Sequence, residues 1–377
     1  MIRKYFAACA LLLGLVAGGA APLPTAKPAP PVAAPPAPPA LTAQDLEAFY
    51  DGQFPYAIRR GDIAGGVIVV VKDGKILFAK GYGYSDLATY APVIPDQTEF
   101  RPGSVSKLFT WTAVMQLVGE GKIDLDRNVN DYLDFKIPAK FGKPITMREL
   151  MTHTAGFEDG ISGAWVKKPS EFVPLRTYLI NHIPSRIYPP GKIVAYSNYG
   201  ATLAGYIVQR VSGEPFDDYV ANHIFKPLDM TRSTMAQPAP PAIASNVSKA
   251  YATASGGKAI PFELIEVAPA GSLTSTGTDM AHFMIAQLQN GAYDGATIFS
   301  PATAQLMHSP QSRMAPGTNG FDLGFYQENR NGLRIIGHAG DTEAFHSDLH
   351  LLLDKNVGLF MSFNGAGTAG AVAPEMQ

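Results

Sequence analysis

Arg101-Pro102-Gly103-Ser104-Val105-Ser106-Lys107 runs directly into Leu108-Phe109-Thr110-Trp111-Thr112-Ala113-Val114-Met115-Gln116-Leu117. A serine and a lysine three positions apart at the start of a helix share one face, about one turn apart. The serine N–H then belongs to the unpaired donors of the helix N-terminus, which attract developing negative charge. A hydroxyl nucleophile, an amine able to take its proton and one oxyanion donor thus fall within a single turn. If the chain supplies a second proton handler and a second oxyanion donor, the chemistry is serine acyl transfer.

Working outward, the 377 residues are 46% hydrophobic with net charge −2, as in ordinary globular proteins. Nucleic acid and anionic membrane are not indicated as partners, since both call for a basic surface. A small-molecule or peptide substrate is the expected partner. Cys9 is the single cysteine and lies in the N-terminal segment, so the mature chain has no internal disulfide and no thiolate metal site. His346 and His350 are four apart, but the alternation around them suggests a strand; without a His-Glu-x-x-His helix, no metal is expected there.

The N-terminus reads as an export signal over residues 1–21. Arg3 and Lys4 precede the apolar run Tyr5 to Val16, and small residues Ala17 to Ala21 follow. The run is too short to span a bilayer as a mature helix, so a periplasmic or secreted location is expected. Residues 22–40 are mostly Pro and Ala with one charge, Lys27, the composition of an extended spacer. The folded domain is expected over 41–377.

Within it, Thr42 is expected to cap a helix running to about Arg60, with Leu46, Phe49 and Tyr50 on its apolar side. Gly66 to Lys72, the turn Asp73-Gly74 and Ile76 to Gly81 read as a hairpin. Thr146 to Glu149 has the form of a capping box. Helical patterns cover roughly Phe172 to His182, Tyr199 to Val211, Phe216 to Phe225 and Thr278 to Gln289. Late strands are expected at Phe321 to Gln327, Leu333 to Gly337, Ala344 to Leu353 and Val357 to Phe363. The fold class is therefore α/β of the α+β type. An antiparallel sheet forms from the N- and C-terminal segments, flanked by helices, and a mainly helical lobe is inserted. Gly365 to Gln377 hold no complete closing helix, the pattern expected of a chain truncated at its C-terminus.

Two further patterns follow Ser104-x-x-Lys107 in order: Tyr196-Ser197-Asn198 after a Pro189-Pro190-Gly191 loop, and His338-Ala339-Gly340 after the strand Leu333 to Gly337. A second Ser-x-x-Lys match, Ser255 to Lys258, sits in a Gly/Ser stretch with no helix to fix its geometry. With the three patterns in this order, the chain resembles the penicillin-recognising serine hydrolases: class C β-lactamases, D-Ala-D-Ala carboxypeptidases and family VIII esterases. The resemblance covers about residues 44–366 and includes Leu150 to Phe157.

The resemblance implies a β-lactamase/transpeptidase-like fold and a role for each residue. Ser104 attacks a carbonyl carbon and Lys107 accepts its proton if the amine is substantially neutral. Tyr196 carries the second proton, and Asn198 orients Lys107 and holds a substrate amide. His338 and Gly340 occupy the third motif. The family's arrangement places the oxyanion between the backbone N–H groups of Ser104 and Asp341. No cofactor is implied.

Taken singly, these residues have plainer readings. Ser104 and Asn198 could be helix caps, Tyr196 a packed aromatic, His338 a structural histidine and His153 a buried hydrogen-bonding support. Relatives that bind a substrate carboxylate use a threonine hydroxyl where this chain has Ala339, and Asp341 adds negative charge. Both features favour an ester or amide without an adjacent free acid. An esterase or D-amino-acid-selective peptidase is thus expected first, a true β-lactamase or cell-wall carboxypeptidase second, and an inactive scaffold third.

Overall fold

The computed structural model describes residues 40–367. The export-signal and spacer readings, and the closing-helix question after residue 367, lie outside the described residues. Thr42 does cap the first helix, α1 (Ala43–Gly61), accepting from the Asp45 N–H at 3.1 Å. Its buried stripe is Tyr50, Phe54 and Ile58, at successive i+4 positions. Phe49, expected on that face, is 60% exposed because the stripe turns away from it.

The hairpin β1 (Gly65–Lys72) and β2 (Lys75–Asp86) closes through Asp73 and Gly74, both at positive φ. That is the backbone a two-residue hairpin turn demands. β1 is apolar and buried from Gly65 to Val71 because both its faces are covered. Val67, Val69 and Val71 point into the main core, whereas Ile68 and Val70 join Phe54, Ile58 and Phe363 under α1.

Two edge pieces, β3 (Ala91–Pro92) and β4 (Tyr326–Gln327), and three late strands, β5 (Ile335–Asp341), β6 (His346–Leu352) and β7 (Val357–Phe363), complete the sheet. Its order is β4-β5-β6-β7-β1-β2-β3, with every neighbouring pair antiparallel. Val67 pairs with Ser362 and Val70 with Leu359, so an early and a late segment of the described residues are zipped together at the sheet centre. The terminal segments thus build the sheet, as the sequence implied.

Three strand expectations need correction. Phe321 to Gln327 is a strand only at its last two residues. A turn intervenes where the Asp322 N–H donates to Phe325 O, and Gly324 takes φ +92 against the Trp111 ring. The next strand begins at Ile335, not Leu333, and continues through His338-Ala339-Gly340 instead of stopping before it. The sixth begins at His346, not Ala344.

The inserted lobe is built round α2 (Ser106–Gly119). Every residue from Ser106 to Leu117 is buried, so this helix is the lobe's core and has no solvent face. It packs against α4 (Asn198–Ser212) and the short helix Ala268–Gly271. The small helix α3 (Met147–Met151) opens with the expected capping box between Thr146 and Glu149. α5 (Gly277–Leu288) covers the main-core face of β1 and β7. The helix expected from Phe172 starts only at Leu175, after Pro174, and the one from Phe216 widens into a π-turn at Ala221–Phe225.

Candidate active site

Ser104 sits in a 3-10 turn, Gly103–Val105, that leads into α2. The turn is held from below by Ser106, whose Oγ donates to Gly103 O at 2.5 Å and accepts from the Leu273 N–H at 3.0 Å. One turn on, Lys107 is completely buried and its Nζ has three partners, each at 2.8 Å: Ser104 Oγ, Asn198 Oδ1 and Ala270 O. Two of these are carbonyl oxygens that can only accept. A neutral amine has two N–H donors and one lone pair, so its third direction is free to accept the Ser104 proton. Burial pushes this amine down from 10.5 to about 7, against a small opposing pull from Asp159.

Tyr196 reaches the same hydroxyl. Its phenol lies near the Ser104 and Tyr326 hydroxyls, which pull its pKa down, but burial outweighs them and holds it above the ordinary tyrosine value. Lys107 Nζ lies 4.9 Å from the centre of its ring. His153 pins the Tyr196 segment from both sides. Its carbonyl accepts from the Ala195 N–H at 2.7 Å and its Nδ1 from the Ser197 N–H at 3.1 Å. A ring nitrogen that accepts carries no proton, and burial, reinforced by Lys107 and His338, keeps the imidazole well below its usual pKa. His153 is thus the hydrogen-bonding support that the sequence suggested. Asn198 is not the cap of α4; Ser197 is, accepting from the Gly200 N–H, which leaves the Asn198 amide free for Lys107.

The third motif meets the Ser104 turn along a strand edge. β4 pairs only with Ile336 and Gly337, so β5 has no strand partner on that side from His338 to Asp341. The turn Pro102–Val105 packs there instead. A β-carbon on Gly340 would stand 2.0 Å from Pro102 O and 2.8 Å from the Ser104 nitrogen. One on Gly103, itself at φ +53, would stand 2.8 Å from the Asp341 nitrogen. Two glycines thus let the Ser104 and Asp341 backbones approach each other. The Asp341 carboxylate is turned away onto His346 Nδ1 at 2.6 Å.

His338 is fully buried and stacks on Tyr326 at 4.3 Å, with the Tyr196 ring 6.2 Å away. Its Nδ1 lies 2.5 Å from Ala339 O, so it donates there. Burial, with Lys107 adding to it, pushes the ring down to about 3, so it is neutral at any working pH.

All seven residues singled out in the sequence therefore meet in one place: Ser104, Lys107, Tyr196, Asn198, His338, Gly340 and the Asp341 backbone. Two further groups escaped the sequence reading. Tyr326 lies near the Tyr196 hydroxyl, and Asp159 lies near the Asn198 and Gly160 backbone, close enough to Lys107 to act on its charge. Neither carries a local motif; only tertiary closure brings them in.

Behind this cluster lie Glu328, Asp348 and His350, whose polar atoms fall within 4.8 Å of one another. They form an ion triad. Glu328 takes Nδ1 of His350, and Asp348 lies 3.1 Å from Nε2, off the hydrogen-bond axis. With carboxylates at opposite ring nitrogens, the imidazole fills the space a shared ion would need. Burial alone would lower the His350 pKa, but the Asp348 and Glu328 contacts outweigh it and raise it to about 9. A raised folded-state pKa gives stability that is complete below the unfolded value near 6.5 and lost as pH rises through about 9. The difference in unfolding free energy between wild type and His350→Gln is therefore expected to shrink by about 2–3 kcal/mol from pH 6 to pH 9.5, measured by urea titration. A difference constant with pH would contradict the charged triad.

Sheet, inserted helical lobe and motif geometry together define the class of serine β-lactamase and penicillin-binding-protein-like proteins. The chain belongs to the Beta-lactamase family, whose model matches residues 24–375. "Protein flp" of Staphylococcus aureus (strain N315) is 26% identical over 336 residues, covering 85% of this chain and 63% of that protein. "Putative penicillin-binding protein PbpX" of Bacillus subtilis (strain 168) is 30% identical over 268 residues, covering 69% of this chain and 61% of that one. The chain thus spans about three fifths of the length of these curated relatives. Among solved structures, the octameric penicillin-binding protein homologue from Pyrococcus abyssi superposes with TM-score 0.72 at 24% identity, over 86% of this chain and 74% of that one. At that identity the likeness concerns the fold alone. Among the described residues, no helix is long and apolar enough to cross a membrane.

Proposed function

We propose that this protein is an exported serine hydrolase that cleaves an ester or amide through an acyl-enzyme on Ser104. One observation carries the reading: the buried Lys107 amine has two carbonyl oxygens and the Ser104 hydroxyl as its three partners. In this reading Lys107 takes the Ser104 proton as the oxygen attacks the substrate carbonyl. The tetrahedral oxyanion is received by the N–H groups of Ser104 and Asp341, each such donor being worth about 3–4 kcal/mol. Tyr196, near the same hydroxyl, passes a proton to the leaving group and takes one from the water that later releases the acyl group. Export rests on Arg3, Lys4 and the apolar run behind them, outside the described residues.

The substrate reading rests on Ala339, which has no hydroxyl to bind a carboxylate. It favours esterase or D-amino-acid-selective peptidase activity over β-lactamase or D-Ala-D-Ala carboxypeptidase activity. A short-chain p-nitrophenyl ester, a chromogenic cephalosporin and a D-Ala-D-Ala peptide, offered to the purified protein, test it. Ester turnover well above the other two is expected; rapid cephalosporin turnover overturns the preference. If no substrate turns over and no fluorophosphonate label attaches, the fold serves as a scaffold instead.

The amine at about 7 also fixes a pH profile. The reactive form is neutral, so kcat/KM for an uncharged ester is expected to rise through about pH 7 and level off above it. A profile that continues to climb toward pH 10 would mean that Lys107 is an ordinary charged lysine.

A further inference from the structure

At Asp341 the edge of β5 runs into a cavity of about 700 Å³. Asp341, Thr342 and Glu343 line it from the strand side, and Trp165, Phe262 and Leu264 from two other segments. Those two segments are paired with each other, Trp165 with Ile265 and Val166 with Leu264. Both are also tied to the reacting groups. The Glu343 N–H, two residues past Asp341, donates to Glu263 Oε1 at 2.8 Å. The buried Arg101 guanidinium, three residues before Ser104, donates to Glu263 O and lies 4.1 Å from the centre of the Phe262 ring. The nucleophile's turn and the strand edge therefore hold the same wall of the cavity.

Direction along β5 decides which half of a substrate reaches it. In the acyl-enzyme reading the leaving group needs Tyr196, whose ring lies 6.2 Å from that of His338. Asp341 is three residues further along the strand, about 10 Å at about 3.3 Å per residue. A carbonyl held between the Ser104 and Asp341 N–H groups thus sends its leaving group toward His338 and its acyl group past Asp341. The acyl group enters the cavity.

The lining says what kind of group fits. Trp165 is 45% exposed, and Phe262, Ile260 and Leu264 add apolar surface beside it. A flat aromatic body gains most against such rings. Asp341, Glu263 and Glu343 also line the cavity, against one basic residue, Lys167, so a carboxylate on the acyl group would meet repulsion.

Resting on the acyl-enzyme reading above, we propose that this cavity receives the acyl side of the substrate and selects an uncharged, aryl-bearing group. The substrate class is then esters or amides of arylalkanoic acids, and Trp165 and Phe262 are specificity-determining residues.

Esters with one leaving group test this directly. p-Nitrophenyl acetate and p-nitrophenyl phenylacetate differ by a single phenyl ring. After correction for each ester's spontaneous hydrolysis, the phenylacetate is expected to show about tenfold or higher kcat/KM. Trp165→Ala should bring that ratio toward one, and Trp165→Phe should keep most of it. p-Nitrophenyl 4-carboxyphenylacetate should fall below its uncharged parent, and Glu343→Gln should narrow that gap. Suppose a fluorophosphonate labels Ser104 but the acetate and phenylacetate react alike, or Trp165→Ala leaves the preference intact. Either result overturns this inference alone, as does a carboxylated ester turned over as fast as its parent. Absence of both labelling and ester turnover overturns the acyl-enzyme reading first, and this inference with it.

Discussion

Ser104→Ala is expected to give a folded protein that no fluorophosphonate or fluorescent penicillin labels, with ester turnover reduced about 10⁴-fold or more. The loss is total for labelling because no other hydroxyl has this setting. Among the described residues, Lys107 Nζ is bonded to one hydroxyl, Ser104 Oγ, and the Tyr196 phenol lies near the same one. Lys107→Ala should approach that loss, since Tyr196 alone would then have to deprotonate the serine while its own pKa is held high. Lys107→Met separates chemistry from folding. It keeps most of the side chain's bulk and removes an amine that burial disfavours in its charged form.

The sign follows from the lowered pKa. Between about 7 and 10.5 the unfolded chain holds a proton on Lys107 that the folded chain does not. The wild-type fold therefore carries its largest cost from this residue at low pH. Lys107→Met should label as poorly as Lys107→Ala, yet resist urea better than wild type below pH 7. Near wild-type labelling in either variant would sink the proton-transfer assignment. Equal loss of labelling and of stability in both would make Lys107 merely structural.

Which parts of this site were readable in advance follows from how far each interaction reaches along the chain. Ser104 and Lys107 are one turn apart, so helix geometry alone places them on one face. The Thr42 and Thr146 caps, the Asp73-Gly74 turn and the β7 boundaries are equally local. The three motifs were legible only as a set, because each is a short pattern with a common structural alternative. What failed was decided by tertiary contact. Phe49 looked like a core residue until Tyr50, Phe54 and Ile58 turned α1 the other way. The His338 strand was ended too early because Ala339 and Gly340 are weak strand formers. Pairing with Asp348 and Ser347 on β6 holds them extended all the same. Tyr326 and Asp159 had no local signature: one lies on a two-residue strand after an irregular turn, the other in a loop whose path no periodicity fixes.

The approach of β5 to the Ser104 turn leads to the other large effect, expected from a single methyl group. Gly340→Ala should reduce acylation by about 10²- to 10³-fold while Ser104, Lys107 and Tyr196 all remain present. The reason is steric and not conformational, since Gly340 lies in an extended strand and has no positive φ. Its missing β-carbon would fall 2.0 Å from Pro102 O, 2.7 Å from the Val105 nitrogen and 2.8 Å from the Ser104 nitrogen. All three are backbone atoms, so no side-chain rotation relieves the clash. Either the strand edge or the turn must move by about an ångström, and donors aimed at an oxyanion lose their value at that displacement. The strain should also cost about 1–3 kcal/mol of stability, measured by urea unfolding. Labelling rates with a fluorophosphonate then decide the matter. Slow labelling of a still-folded Gly340→Ala supports an oxyanion site between strand and turn. Undiminished labelling would show that the strand edge contributes nothing to the reaction, whatever its distance from Ser104.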